Sequence, residues 1–230
     1  TDCDKFSQLV DSIRLNYWGE NYNSGVKIIH RIDNEVGPKI KQMTDSLAVA
    51  AAKEELKIVA DSGKIYFGTA ITVDPSEFKP YEAIAIIYDR LKQFDSALVY
   101  FKKASVLVPD SAYLLQNIAY AYIELSDWDN AIAYFKNYLL LVPNDPGTLS
   151  NIAICYNNRR EPDSAYIYNM KTIAVDSNIA GACADIGQYF LIHSQDFSDS
   201  IMASQKAGKP KETERLMALR DALLDSSAHY

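Results

Sequence analysis

The chain has 230 residues, 48% hydrophobic and 23% charged, enough to bury a large core. Its net charge of −7 and pI near 5.0 argue against a nucleic-acid or anionic-membrane partner, since both need a basic footprint. The longest apolar runs, 47–52 and 138–142, fall far short of the roughly 20 residues of a spanning helix, so a soluble chain without membrane insertion is expected.

In chain order, Phe6, Leu9, Val10 and Ile13 recur at helical spacing and predict a helix over 1–16. An aromatic-rich turn holding Tyr17, Trp18 and Tyr22 is expected over 16–24, then a helix from Val26 to Ile32, interrupted by residues 33–38. A long helix with an alanine-rich centre is expected over 40–58. From Tyr81 to Thr172 paired helices follow in a regular frame. Ala180 to Ser194 reads as the next first helix and Phe197 to Ala207 as its partner, with an extra residue in the turn around 194–196. Lys209-Pro210 breaks the chain, and 211–225 forms an amphipathic helix with Leu216, Leu219 and Leu223 on one side, leaving 226–230 as a frayed tail. The first residue is Thr1, so a tag, an initiator or an export signal is expected upstream, and the compartment is left open.

The regular part repeats itself. Tyr88, Phe94-Asp95-Ser96-Ala97, Tyr100-Phe101 and Val108-Pro109 return thirty-four residues later as Tyr122, Trp128-Asp129-Asn130-Ala131, Tyr134-Phe135 and Val142-Pro143. The small residue carries the period outward through Gly63, Ala97, Ala131 and Ala165, reaching Ser200 after one extra residue; prolines run in parallel at 75, 109 and 143, with Ser177 next. A fixed period of this length indicates stacked helix pairs, none of which buries its apolar face alone. Small residues such as Ala85 and Ala97 let paired helices approach, while Tyr88, Phe101, Tyr122 and Phe135 fill the gaps. Asp95, Asp129 and Asp163 fall in first turns of second helices, where the helix dipole favours a carboxylate.

These residues resemble the tetratricopeptide repeat family. The copy at 112–145 fits through Leu115, Ala119, Tyr122, Ala131, Phe135 and Pro143, with Tyr138 in place of the last small residue; the copy at 78–111 fits throughout. The copy at 146–179 departs: Asn169 replaces the second aromatic, Thr172 the last small residue and Ser177 the proline. The resemblance implies an all-α, right-handed superhelical solenoid of antiparallel helix pairs, one domain over 1–230. Its parts are divergent N-terminal helices at 1–43, a degenerate repeat at 44–77, repeats at 78–111, 112–145, 146–179 and 180–210, and a C-terminal capping helix at 211–225.

In this family the inward residues of first helices contact an extended peptide or a partner helix. The matching places are Tyr113, Gln116, Asn117, Tyr120 and Glu124, then Ser150, Asn151, Ile154, Asn157 and Asn158, then Asp185 and Gln188, with Ala184 and Leu191 beside them. Asn117, Asn151 and Asp185 are thirty-four apart, and carboxamides in such a ladder can donate to and accept from a peptide main chain. The family's clamp for an acidic C-terminus is matched by Asn117 alone among Glu82, Ile86, Asn117, Gly147 and Asn151, so that ligand is not expected.

Catalytic chemistry has little to stand on. His30 and His193 each have an aspartate three residues on, Asp33 and Asp196, and are expected to pair near helix ends; His229 sits in the tail. Cys3, Cys155 and Cys183 follow no disulfide or zinc pattern, and the last two read as buried small hydrophobes. The expectation is a non-catalytic protein-interaction module with no metal or cofactor, its partner a protein or peptide. The alternative is a structural subunit that self-associates or docks through its edges, using Tyr17, Trp18 and Tyr22.

Overall fold

The computed structural model describes residues 2–227. The tail with His229, and the side chains of Cys3, Ser194, Gln195, Phe197, Leu219 and Leu223, lie outside the described residues. All regular structure among the described residues is helical: α1 (Asp2–Arg31), α2 (Gly37–Gln42), α3 (Ser46–Val73), α4 (Lys79–Arg90), α5 (Phe94–Leu107), α6 (Ala112–Glu124), α7 (Trp128–Leu141), α8 (Pro146–Asn158), α9 (Pro162–Val175), α10 (Ala180–Lys206) and α11 (Pro210–Ser227). The chain divides into two compact units, 1–127 and 128–230.

The repeat turns are made alike. Lys92, Ser126 and Arg160, thirty-four apart, each take a left-handed backbone conformation with φ near 60°. The amide after each donates to a tyrosine carbonyl five residues back: Gln93 to Tyr88, Asp127 to Tyr122 and Glu161 to Tyr156, at 2.9–3.0 Å. This is the Schellman closure, which satisfies helix-end carbonyls. Two first helices, α6 and α8, start on side-chain caps: Ser111 Oγ accepts from the Leu114 amide and Asp145 Oδ2 from the Thr148 amide. Within the repeats the marker alanines Ala85, Ala97, Ala119, Ala131, Ala153 and Ala165 are buried, and so are Phe101 and Phe135.

In the first unit, α1 runs unbroken through 16–24, where a turn is expected. Trp18 and Tyr22 lie one helical turn apart and stack at 5.0 Å, and Tyr22 meets Phe67 of α3 edge-on. Asn21 and Ser24 donate to carbonyls of their own helix at Tyr17 and Glu20. The Gly and Asn tokens cost about 1 kcal/mol each at most, less than this packing returns. The expected interruption at 33–38 is a single π-helical turn, Ile32–Val36, leading into α2; it carries Asp33, whose Oδ1 accepts from Arg90 Nε at 2.7 Å. Asp33 therefore pairs with Arg90 rather than with His30. The helix expected at 40–58 breaks instead at 43–45, where Asp45 caps α3, and then continues to Val73.

Glycines set the close crossings here. A Cβ on Gly25 would lie 2.6 Å from the Phe67 ring, and one on Gly63 would lie 2.8 Å from Ile87 Cδ1 and 2.9 Å from Ile28 Cγ2. Asn23-Ser24-Gly25 and Asp61-Ser62-Gly63, alike in sequence, thus each lie at a helix crossing within a continuous helix.

In the second unit, α10 is one helix of 27 residues and does not turn at 194–196. Its partner is α11, joined by a left-handed Gly208 with the Lys209 amide donating to the Ser204 carbonyl at 3.1 Å. Ser204 and Thr213, both buried, close this hairpin through an Oγ1 to Oγ hydrogen bond of 3.0 Å.

Candidate functional site

The first-helix residues picked out by sequence divide by their surroundings. On α6, Tyr113 and Tyr120 are 53% and 42% exposed, and Glu124 is exposed beside them. Gln116 is half-buried, and the Asn117 Nδ2 is shut off from solvent with no hydrogen-bond partner. On α8, Ile154 is exposed, Ser150 and Asn151 are half-buried, and Asn158 donates to the Ile154 carbonyl of its own helix. On α10, Asp185 is half-buried and Gln188 exposed.

Three of these, Asn157, Asp185 and Gln188, line a cleft of about 320 Å³ within the second unit, between α8, α9 and α10. The carboxylate of Asp185 is its focus: Asp185 Oδ2 accepts from Asn157 Nδ2 at 3.0 Å and from Asn169 Nδ2 at 3.3 Å. Asn169, 2% exposed, belongs to α9 and forms the inner wall with Ala165. Tyr166, Tyr189 and Ile192 supply apolar surface; the two tyrosine rings stack at 4.4 Å. Tyr189 in turn donates its hydroxyl to Asp163 Oδ1 at 2.9 Å. Burial first, and the Asp163 carboxylate second, push the Tyr189 phenol up to about 12, so it stays protonated and donating at neutral pH.

The expected His193–Asp196 pairing does not form. His193 Nδ1 donates to the Tyr189 carbonyl at 2.9 Å, and Nε2 faces Asp163 at 3.7 Å. The same frame holds one repeat earlier, where Arg159 Nη1 meets Asp129 Oδ1 at 2.6 Å. Position 193 thus takes the basic place that Arg159 occupies thirty-four residues before.

Sequence reasoning missed Asn169, Tyr166, Tyr189 and Ile192 as site residues, though position 169 stands out as a departure. Its counterparts Phe101 and Phe135 are 3% and 0% exposed and fill the space between successive repeats. Replacing that ring by a carboxamide vacates room, and the vacated room is the cleft. Among the described residues no three of histidine, cysteine, aspartate and glutamate gather as a metal would require. Cys155 is fully buried, and burial raises its thiol to about 11, which removes it as a nucleophile at neutral pH.

The tetratricopeptide repeat model matches residues 114–147, and a second tetratricopeptide repeat model matches residues 78–105. Those two stretches are tetratricopeptide repeats. No curated protein sequence matches the chain. Among solved structures, MamA is similar at 17% identity, with 78% of this chain and 96% of that chain covered and a TM-score of 0.53. PilF of Pseudomonas aeruginosa is similar at 13% identity, 94% and 96% coverage and a TM-score of 0.52. A tetratricopeptide repeat protein from Parabacteroides merdae is similar at 17% identity, 74% and 66% coverage and a TM-score of 0.53. At these identities the likeness is one of fold. A tetratricopeptide fold is a scaffold for protein–protein interaction, and no helix among the described residues is long and apolar enough to cross a membrane.

Proposed function

We propose that the chain is a non-catalytic interaction module that holds an extended segment of a partner protein along its first helices. The observation that carries this reading is the cleft of the second unit, where Asn157, Asp185 and Gln188 from two successive first helices converge on one recess. Polar side chains at such places bond a peptide main chain, and flanking apolar residues read alternate side chains.

The test is selection of a displayed random-peptide library on the immobilised chain, followed by anisotropy titration of an enriched peptide. Wild type is expected to enrich peptides whose affinity falls at least tenfold in an Asn157→Ala, Gln188→Ala variant with an unchanged melting temperature. Enrichment of nothing, or affinities indifferent to the substitutions, would overturn the proposal.

A second reading has its own support. Phe6, Leu9, Ile13 and Tyr17 are exposed at helical spacing along α1, whereas Trp18 and Tyr22 are engaged by packing within the first unit. Self-association would then use that stripe, and sedimentation showing the same monomer for wild type and Phe6→Asp across a wide concentration range would remove it.

A further inference from the structure

We propose that the cleft between α8, α9 and α10 is a pocket for one basic side chain, with arginine as the favoured occupant, contributed by the segment the module binds. This rests on the groove reading above and names the chemistry of one of its subsites.

Charge is the first argument. Asp185 is the one ionised group on the cleft wall; the remaining lining is carboxamide, aromatic and aliphatic. It makes no ion pair among the described residues, while Arg159 at the end of α8 is committed to Asp129 and Glu161, and His193 on α10 faces Asp163 instead. A half-buried carboxylate loses hydration, and two carboxamide donors return only part of it. A cation entering from the partner supplies the rest. The chain's net charge of −7 favours the approach of basic segments in the same direction.

Fixation is the second. Asn157 and Asn169 reach the same oxygen, Oδ2, from two different helices, so the carboxylate is clamped while Oδ1 accepts no hydrogen bond among the described residues. A preorganised acceptor costs less to engage than a freely rotating one. Shape is the third. Tyr166 and Tyr189 stack within 14° of parallel and His193 packs against the other face of Tyr189 at 4.0 Å, so the cleft offers the edges of this aromatic stack and the Tyr166 ring, and Gln188 adds an acceptor at the mouth. A guanidinium is planar, weakly hydrated and a multiple donor, so it can lie against aromatic surface while bonding a carboxylate and a carboxamide oxygen; an ammonium is a hydrated point charge and gains less from such walls.

The fourth argument is that the change is concerted. At the α5–α6 and α7–α8 packings the corresponding positions are Phe101 with Asn117 and Phe135 with Asn151; at α9–α10 they are Asn169 with Asp185. The buried ring is lost in the same place where the ladder asparagine becomes an acid. A merely tolerated cavity would not bring a charge with it.

The experiment titrates N-acetyl-arginine amide, and its uncharged isostere N-acetyl-citrulline amide, into isotopically labelled protein while following the side-chain amide resonances of Asn157 and Asn169. Arginine amide is expected to give saturable shifts in the millimolar range, as one side chain permits, with at least tenfold weaker binding of citrulline. Asp185→Asn, and independently Asn169→Phe, which fills the recess, should each abolish the arginine response while circular dichroism shows a folded chain. Equal shifts by both probes, no saturable shift, or an arginine response retained in both variants would overturn the proposal. The peptide library separates the two readings. Enriched peptides sharing a basic position that Asp185→Asn no longer selects support both, and enriched peptides without one overturn the pocket alone. Arginine binding with no peptide enriched overturns the groove reading and leaves the pocket standing.

Discussion

Restoring an aromatic at position 169 should stabilise the protein while closing its cleft. Asn169 is 2% exposed and its counterpart Phe135 is 0% exposed, so a ring introduced there leaves water almost wholly. Burying a phenylalanine side chain contributes about 1.5–3 kcal/mol. Against this stands the loss of the Asn169–Asp185 hydrogen bond, which at 3.3 Å is long; a bond to a charged group contributes about 1.5 kcal/mol at the low end. Asp185 is half-buried, keeps the Asn157 donor and is reached by water, so it is not stranded. The recess of about 320 Å³ takes the ring without overpacking. The balance is a gain of about 1 kcal/mol, which for a chain of this size raises Tm by about 2–4 °C. Asn169→Ala loses the hydrogen bond without the burial and should move Tm the other way. Thermal unfolding followed by circular dichroism decides the matter. If Asn169→Phe lowers Tm as much as Asn169→Ala does, the room inferred at 169 is not there.

Other consequences are as direct. Gly63→Ala and Gly68→Ala lie on the same helix and should have opposite signs in denaturant melts: the first presses on Ile87 and Ile28 and costs about 1–2 kcal/mol, the second meets nothing within 4 Å and gains about 0.5–1 kcal/mol of helix propensity. With its thiol held near 11 by burial, Cys155 should resist iodoacetamide at pH 8 until the chain unfolds, as peptide mass mapping would report. Lys136 donates to the Tyr156 hydroxyl at 3.0 Å, and the next repeat carries Met170 and Phe190 at the equivalent places. The double change Lys136→Met, Tyr156→Phe should therefore be less costly than the sum of the single changes, with a coupling of about 0.5–1 kcal/mol in a double-mutant cycle. The Tyr189 phenol, raised from 10.0 to about 12 in the folded chain, contributes stability that is complete below pH 10 and is lost as pH rises through 12. A Tyr189→Phe variant should lack that alkaline loss in its stability profile.

Period made the middle of the fold legible. Tyr88, Tyr122 and Tyr156 announce the turns, and the buried alanines announce the helix crossings, because each must recur for identical units to stack. The ends were less legible because the signals that break helices are weak and packing overrides them. Gly19, Asn21, Asn23 and Ser24 read locally as a turn, yet polar side chains can bond back to their own helix and a stacked Trp18–Tyr22 pair favours continuing it. At 194–196 the extra residue reads in sequence as a turn. In a continuous α10 it is absorbed with no turn at all, and the reversal moves to Gly208, where a residue free to take positive φ stands. A third of the cleft lining was visible in sequence as the groove positions 157, 185 and 188. The rest was hidden: Tyr189 and Ile192 lie on α10 beyond the groove positions, and the α9 positions 165, 166 and 169 have counterparts at 97, 98 and 101 and at 131, 132 and 135 that pack inward.

Stacked repeats bury nearly interchangeable surfaces, so their function has to come from the places where they differ. Four equivalent positions can be followed across three packings. At α5–α6 they are Phe101, Lys102, Asn117 and Tyr122; at α7–α8, Phe135, Lys136, Asn151 and Tyr156; at α9–α10, Asn169, Met170, Asp185 and Phe190. In the first two, a lysine donates to the tyrosine hydroxyl at 2.6 and 3.0 Å and a buried ring fills the gap. In the third, the lysine and the hydroxyl are both gone and the ring position is polar. Methionine and phenylalanine at 170 and 190 make that part of the packing apolar, so the stack no longer depends on the ring at 169 to close it. The polar groups lie on the wall of the cleft, where buried Asn169 bonds half-buried Asp185. An apolar pair beside a polar opening is the arrangement that the proposed arginine pocket requires.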